Sequence, residues 1–418
     1  MEYGLIGEKL GHSFSPELHR ELADYDYQLC PLSPQELPGF MQRAEFRAIN
    51  VTIPYKEKVM PFLTEIDARA QAIGAVNTIV NNNGRLYGHN TDFAGFDYLL
   101  QKHGIDPQDK NVLIMGAGGA GKCAAAVLAS RGAAKIYQAD RVRGENLITY
   151  EEAQQLADVQ IIVNATPSGM YPANDAPLLL NLSRFPRLEA VADVVYNPLK
   201  TNLVLTAEEL GLTACGGLEM LVAQAKFAAE YFLDTQIPDS EIDRIYQKLL
   251  RQKQNIALIG MPGSGKTTVG QILAKLCGKT LVDSDAQVEK TAGKTIKEIF
   301  EAEGEAAFRQ IEAQTIAAIA KQDGQIIATG GGAVLDFANV QNLRQNSILI
   351  WLDKPAAELS LNDKRPLSPN QAANIKLYQQ RQPLYQAAAD LRIENCGTAE
   401  EAAEAVLAQL RWHKEAAK

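Results

Sequence analysis

LIGMPGSGKTTVG, residues 258–270, is an apolar run that breaks into closely spaced glycines and resumes with Lys266, two threonines and Val269. It reads as a strand, a glycine loop and a helix. Gly260, Gly263, Gly265, Lys266 and Thr267 fit GxxxxGK[ST] in full. In such a loop, successive backbone N–H groups point inward around phosphate oxygens, and the following helix adds its positive N-terminal end. Lys266 would reach the outer phosphates, the Thr267 hydroxyl would hold Mg2+, and Thr268 would continue the ATP cradle. A chance glycine turn is the alternative, and the flanking strand and helix argue against it.

The pattern extends on both sides of this loop. Downstream, TLVDSD, QIIATGGG, SILIWLD and DLRIENC alternate with helical segments, as a parallel sheet with helices on its faces requires. Upstream, VLIMGAGGAGK (residues 112–122) is a second glycine loop of different design. Gly116, Gly118 and Gly121 fit GxGxxG, with Gly119 inside the loop. They follow the strand NVLIM and open an Ala-rich helix over about 120–131, which is the dinucleotide-binding context. Asp140 ends the next strand, AKIYQAD, near the position that reads a ribose, with Arg141 and Arg143 beside it. VQIIVNAT and AVADVV are further buried strands. A helix over 217–233 precedes DTQIPDSE, a boundary signal, and residues 241–253 read as a connecting helix.

With 418 residues the chain has room for two or three domains. Its apolar content of 46% with 22% charged is that of a globular enzyme. Net charge of −9 gives no general attraction for nucleic acid or anionic lipid. No apolar run approaches a membrane span, and the start MEYGLIGEKLGHS lacks signal-peptide features. The five scattered cysteines form no CxxC pair and are expected to be reduced thiols of the cytoplasm.

Several residues carry candidate chemistry. Asp283 and Asp285 end TLVDSD, and in an extended segment they would share a face. One carboxylate would order magnesium water and the other would meet an acceptor hydroxyl; a solvated strand end is the other reading. Gly330, Gly331 and Gly332 after a buried strand allow close approach to a ligand. Arg309, Arg365 and Arg381 follow in order, in FRxxE, KRPLS and RQPLY. In the first ninety residues, Ser13 and Ser15 of GHSFSP would grip a carboxylate, or cap a helix. Lys56 of NVTIPYK and Asp92 of GHNTD would form a proton-transfer pair, although Asp92 could equally cap the helix that follows.

Over roughly residues 254–396 the ordered series GMPGSGKTT, DSD, FRxxE, TGGG, KRPLS and RQPLY resembles shikimate kinase. The resemblance implies ATP-dependent phosphorylation of the 3-hydroxyl of shikimate. Asp285 would then meet substrate hydroxyls. Arg309, Arg381 and Gly330–Gly332 would hold the substrate, and Arg365 would approach the phosphates from a lid. Mg2+ would be held by Thr267 and Asp283. One departure stands out: nothing from Pro355 to Asp363 is basic, where many family members place an arginine near the adenine.

Residues 1–250 resemble shikimate dehydrogenase through GHSFSP, NVTIPYK, AVNT, HNTD, GAGGAGK, NATPSGM, DVVYNPL and GGLEMLVAQA. This implies reversible reduction of 3-dehydroshikimate to shikimate by a nicotinamide cofactor. Lys56 would be the acid–base, with Asp92 orienting it. Ser13, Ser15, Thr52, Asn77, Tyr196 and Gln224 would contact substrate. Where NADP-using members usually carry Asn-Arg-Thr, this chain has Asp140-Arg141-Val142. Arg141 favours NADP, while Asp140 leaves NAD open.

The expected architecture is α/β throughout. A substrate domain (1–94 and 216–245) and a Rossmann-type NAD(P) domain (95–215) precede a P-loop NTPase-type parallel-sheet kinase domain (254–418). The expected function is a bifunctional enzyme that makes shikimate with NADPH and then phosphorylates it with ATP and Mg2+. Its partners are these small molecules, with neither nucleic acid nor membrane. Two alternatives stay open: a quinate/shikimate dehydrogenase fused to a small-polyol kinase, and a ligand-sensing module with one inactive half.

Overall fold

The structure is a computed structural model that describes residues 1–11, 13–359 and 371–411. The chain divides into two compact units, Met1–Leu249 and Leu250–Lys418.

The first unit contains two six-stranded sheets. Strands β1 (Tyr3–Gly7), β2 (Tyr27–Pro31), β3 (Ala48–Val51), β4 (Glu65–Ile66), β5 (Thr78–Asn82) and β6 (Arg85–His89) form the first. Their order is β2-β1-β3-β5-β6-β4. It is mixed: β1 pairs in parallel with β2 and β3, whereas β5 runs antiparallel to both β3 and β6. A tight turn at Asn83 and Gly84, both with positive φ, joins β5 to β6 and permits that antiparallel pairing. Strands β7 (Asn111–Met115), β8 (Lys135–Asp140), β9 (Ile148–Thr149), β10 (Ile161–Asn164), β11 (Ala190–Asp193) and β12 (Thr213–Cys215) form the second sheet. It is parallel in the order β12-β11-β10-β7-β8-β9. Both β10 and β11 are buried at every position, as expected where helices cover both faces of a parallel sheet.

Three helices position the first unit's chemistry: Thr91–Lys102, Gly119–Ser130 and Leu218–Leu233. Helix Leu218–Leu233 packs on helices Ser15–Leu22 and Thr91–Lys102 and reaches β3 and β5, so the chain returns to its first sheet after completing the second. Helix Ser240–Lys253 buries Ile242, Ile245 and Leu249. These lie on one stripe at spacings of three and four residues and join a cluster with Leu18, Leu218 and Val222.

The second unit is built on β13 (Asn255–Ile259), β14 (Thr280–Asp283), β15 (Gln325–Ala328), β16 (Ser347–Asp353) and β17 (Leu391–Glu394). They form one parallel sheet in the order β14-β15-β13-β16-β17. The expected α/β class and the strands named from the sequence are all present. One element boundary differs. TLVDSD is not extended throughout: β14 stops at Asp283 and helix Ser284–Ala292 begins at once. Asp283 causes this, because its carboxylate accepts the N–H groups of Asp285 and Ala286 and caps the helix.

Candidate functional site

In the first unit, Lys56 lies in the turn after β3 and Asp92 in the first turn of helix Thr91–Lys102. The Lys56 Nζ donates to Asp92 Oδ2 at 2.6 Å, with the two side chains 21% and 13% exposed. Burial acts to lower the lysine pKa. The Asp92 carboxylate more than offsets this and holds the ammonium above its ordinary range. The capping reading of Asp92 is not what the structure shows: the side chain of Asn90 takes the Phe93 N–H and caps the helix, which leaves Asp92 to the lysine.

Asn77 precedes β5, and its Oδ1 accepts the Thr91 N–H at 2.8 Å, which places it beside the residue before Asp92. Ser13 donates to Ser15 Oγ at 3.1 Å. Ser15 opens its helix without capping it; the N-cap is Phe14, which provides no side-chain bond. Phe14 packs against Tyr196, ring centroids 5.4 Å apart. Burial raises the Tyr196 phenol, and the nearby Lys56 acts to lower it. Thr52 follows β3 directly, and its N–H donates to the Ile6 carbonyl. Gln224 lies on helix Leu218–Leu233, its Nε2 donating to the Leu221 carbonyl.

Two residues of this site were not singled out from the sequence. Asn50 is buried, accepts the Tyr27 phenol at 2.8 Å and donates to Thr78, so it ties β2 to β3 and β5. Gly95 lies one turn after Asp92. A Cβ there would stand 2.8 Å from the Met220 carbonyl and 3.0 Å from Gln224 Cβ. Its lack of a side chain lets the helices bearing Asp92 and Gln224 close on each other. The spacing of Gly95 after HNTD is the only sequence signal for it.

The first glycine loop distributes its work by position. Gly116 has φ +102 and makes the turn after β7. Gly118 caps the helix and has open space where a Cβ would be. A Cβ on Gly121 would fall 2.2 Å from the Gly116 carbonyl, so only glycine allows this close helix–strand packing. Gly119 faces Lys56, whose Cδ is 3.9 Å from where its Cβ would be. The first glycine loop thus abuts the Lys56–Asp92 pair. Asp140 turns inward: its Oδ2 accepts the Ala117 N–H at 3.1 Å and its Oδ1 the Arg141 N–H at 2.7 Å. Arg141 is exposed, and Arg143 pairs with Glu152 at 2.8 Å.

In the second unit a cavity of about 850 Å3 gathers Gly263, Gly265, Lys266, Thr267 and Thr268 with Asp283 and Asp285, and with Arg309, Gly330–Gly332 and Arg381. Gly260, Gly263 and Gly265 all have positive φ, which turns the loop's N–H groups inward. Lys266 Nζ donates to the carbonyls of Gly260 and Met261. The Thr267 hydroxyl donates to Asp283 Oδ2 at 2.8 Å. Among the described residues no group of three or more His, Cys, Asp and Glu gathers for a metal. A magnesium that keeps its waters and binds phosphate needs only one or two protein oxygens, and the Thr267–Asp283 pair fits that.

Asp285 does not share a strand face with Asp283, as an extended reading implied; it projects from the first turn of helix Ser284–Ala292. Burial, with Asp283 nearby, pushes its carboxyl up to about 6, against the pull of Lys266 and Arg309. Each glycine of Gly330–Gly332 answers a different neighbour. A Cβ on Gly330 would meet Asp285 Oδ1 at 2.5 Å and Glu312 Oε1 at 2.8 Å. On Gly331 it would meet Pro262, and on Gly332 the Arg309 guanidinium. Arg381 Nη1 donates to the Gly331 carbonyl at 2.9 Å and pins the turn. Glu312, absent from the expected site residues, is buried and accepts Arg309 Nη1 at 2.7 Å. Asp285 Oδ1 and Glu312 Oε1 are buried without a hydrogen-bond partner in the described structure, which suits a site built to receive hydroxyl donors. Arg365 lies outside the described residues.

Comparison with known proteins finds a family for each unit. The family model for the shikimate dehydrogenase substrate binding domain matches residues 5–79, and that for shikimate kinase matches residues 262–411. A shikimate dehydrogenase (NADP(+)) of Clostridium perfringens is 36% identical over 265 residues, 59% of this chain and 97% of the relative. The crystal structure of shikimate dehydrogenase 1 from Peptoclostridium difficile shares 36% identity with a TM-score of 0.55, covering 60% of this chain and 98% of that one. A Thermus thermophilus shikimate 5-dehydrogenase in complex with NADP(H) and shikimate is 29% identical, with a TM-score of 0.54, covering 59% and 99%. Through its first unit the chain belongs to the shikimate dehydrogenase family, and its second unit carries a shikimate kinase domain.

Proposed function

We propose that this chain is a bifunctional enzyme that reduces 3-dehydroshikimate to shikimate with NADPH and phosphorylates shikimate at its 3-hydroxyl with ATP. The observation that carries the reading is the presence, in one chain, of two chemically different sites. One is the buried Lys56–Asp92 pair beside a dinucleotide loop. The other is the cradle of Gly260–Thr267 facing Asp285 and two arginines.

In the first site NADPH supplies the hydride. Lys56 Nζ gives its proton to the carbonyl oxygen as the hydroxyl forms and takes it back in the reverse reaction. Asp92 keeps that ammonium in place, and Ser13, Ser15, Thr52, Asn77, Tyr196 and Gln224 bind and orient the substrate. Arg141 would receive the 2′-phosphate of the cofactor, beside an Asp140 carboxylate that accepts the backbone N–H groups of Ala117 and Arg141. We assign residues 1–94 and 216–245 to the substrate domain, 95–215 to the cofactor domain and 254–418 to the kinase domain.

In the second site the backbone of Gly260–Gly265, with Lys266, Thr268 and Arg365, holds ATP. Thr267 and Asp283 hold Mg2+, which screens the phosphate charge when bound. Asp285 accepts the proton of the attacking hydroxyl, and Arg309 and Arg381 take the substrate carboxylate. Positioning and charge neutralisation do most of the work in such a transfer. The five unpaired cysteines suit a cytoplasmic setting.

The test is turnover of the full chain on shikimate, quinate and gluconate with NAD+, NADP+ and ATP in turn. Shikimate should be consumed in both the NADP+-dependent and the ATP-dependent assay. Preference for quinate, or silence of either half, would refute the reading.

A further inference from the structure

Asp193, the last residue of β11, is fully buried and takes no part in the chemistry above. Burial pushes its carboxyl up to about 7, although three donors oppose the shift. Its Oδ1 accepts Asn164 Nδ2 at 2.9 Å and the Val195 N–H at 2.9 Å. Its Oδ2 accepts the Thr201 hydroxyl at 2.6 Å. Asn164 is itself buried at the end of β10. Its Oδ1 takes both the N–H and the hydroxyl of Thr166, at 3.1 and 2.7 Å, while its Nδ2 also reaches the Ser168 carbonyl. Thr166 in turn accepts the Ser168 N–H. The pair therefore fixes two loops at once: 165–170 after β10 and 194–201 after β11.

Both loops border the cofactor site. Strand order changes direction between β7 and β10, and that crevice is where a dinucleotide lies in such a sheet. The 165–170 loop is pressed onto the first turn of the glycine loop. A Cβ on Gly116 would stand 2.8 Å from Thr166 Cγ2 and 3.0 Å from the Ala165 carbonyl. The 194–201 loop carries Tyr196, close to Lys56. A carboxylate is costly to bury even among three donors. That cost is understandable where two loops must be held in register at a binding crevice.

We infer that Asp193 and Asn164 are positioning residues for the NADP(H) site, setting the 165–170 loop against the glycine turn so that the cofactor is held in line with Lys56. The inference rests on the dehydrogenase reading above. An amide at 193 keeps one acceptor oxygen, so its NH2 must face either the Thr201 hydroxyl or the Asn164 amide and Val195 N–H, all of which now donate to Asp193. Thr166→Val leaves Asp193 in place and removes only the hydroxyl that links Asn164 to the 165–170 loop.

The test uses the full chain and titrates NADPH by nicotinamide fluorescence, a binding measurement that needs no turnover. Shikimate KM and thermal melting are followed in parallel. Asp193→Asn should weaken NADPH about tenfold, the scale of a small misplacement at a site, and should also raise shikimate KM, because the 194–201 loop carries Tyr196. Thr166→Val, which removes one hydroxyl on the 165–170 side of the network alone, should weaken NADPH selectively, with shikimate KM within about twofold. Unchanged NADPH affinity in the folded variants, or a shikimate KM that moves as much as NADPH affinity in Thr166→Val, would overturn the inference. Failure of the unaltered chain to bind NADPH would instead sink the cofactor reading beneath it.

Discussion

Lys56 Nζ and Asp92 Oδ2 meet at 2.6 Å, and the glycine-loop helix begins beside them, with Gly119 packed against the Lys56 stem. The ammonium is held above its ordinary range, because the carboxylate outweighs burial. At neutral pH Lys56 is therefore protonated, ready to serve as an acid in reduction, and the reverse oxidation gains as pH rises. Lys56→Ala should lower dehydrogenation by about 10²- to 10⁴-fold. ATP-dependent turnover should stay within about twofold, since Lys56 belongs to the first unit. Separate NADP+ and ATP assays check this, and loss of both activities in a folded variant would contradict two independent sites.

Asp92→Asn removes the group that raises the Lys56 pKa and leaves burial to lower it. The alkaline rise of shikimate oxidation should move to lower pH, with a reduced plateau. Stability carries a separate signature. A lysine whose folded pKa is raised contributes fully below its unfolded value of about 10.4 and loses that contribution only above it. The loss in Asp92→Asn, on the order of 1–3 kcal/mol, should be largest near pH 6 and shrink toward about pH 9, because the buried, unpaired Lys56 of the variant sheds its proton more readily than the unfolded chain does. Melting curves across that range are the check, and a loss that grows through it would show that another group is titrating.

Asp285 presents the opposite sign. Its folded pKa is raised to about 6, chiefly by burial, so its ionised form is disfavoured by folding. The penalty is absent below the unfolded value of about 3.9 and complete above about 6, where it is on the order of 3 kcal/mol. Asp285→Asn should stabilise the ligand-free chain at neutral pH, with no gain near pH 4. It should also lower kinase turnover by about 10²-fold or more. In the unaltered protein, kcat/KM for shikimate phosphorylation should fall as pH drops below about 6. A variant that is both inactive and less stable at neutral pH would refute this account.

The two cradles were legible in the sequence because their geometry is local. Positive φ at Gly116, Gly260, Gly263 and Gly265 is set by short-range sterics, and the strand–loop–helix context is written in adjacent residues. Capping was less legible. Asp92 and Asn90 both suit an N-cap, and only Lys56, 36 residues away, decides between them. Asp283 was read as extended, but its cap on the following helix ends the strand. Gly95 and Asp193 owe their roles to contacts between distant segments, and Glu312, paired locally with Arg309, meets Gly330 only through the fold. Periodicity cannot show which buried polar groups converge.

The proposed cofactor choice turns on Asp140 and Arg141. The Asp140 carboxylate accepts the Ala117 and Arg141 N–H groups, and the exposed Arg141 guanidinium is the proposed partner of a 2′-phosphate. Arg141→Ala should reduce kcat/KM for NADP+ about tenfold, the value of one charge-assisted contact, with NAD+ changed much less. Steady-state kinetics with both cofactors checks this. An equal loss for both would mean that Arg141 acts on the loop and not on the phosphate.

Gly95 offers the sharpest steric test. Asp92 and Gln224 project from facing helices, and Gly95 occupies the point of closest approach. A Cβ there would lie 2.8 Å from the Met220 carbonyl and 3.0 Å from Gln224 Cβ. Backbone cannot yield as a side-chain tip can, so Gly95→Ala must push the two helices apart. Alanine's better helix propensity returns up to about 1 kcal/mol, whereas overpacking costs typically 1–3 kcal/mol, so a net destabilisation is expected. Moving Gln224 away from Asp92 should also lower dehydrogenase kcat/KM by about 10- to 100-fold, with kinase turnover unaffected. Melting temperature and the two assays measure these effects together. A variant as stable and as active as the parent would show that the helices can yield at this point without moving Asp92 or Gln224 out of register.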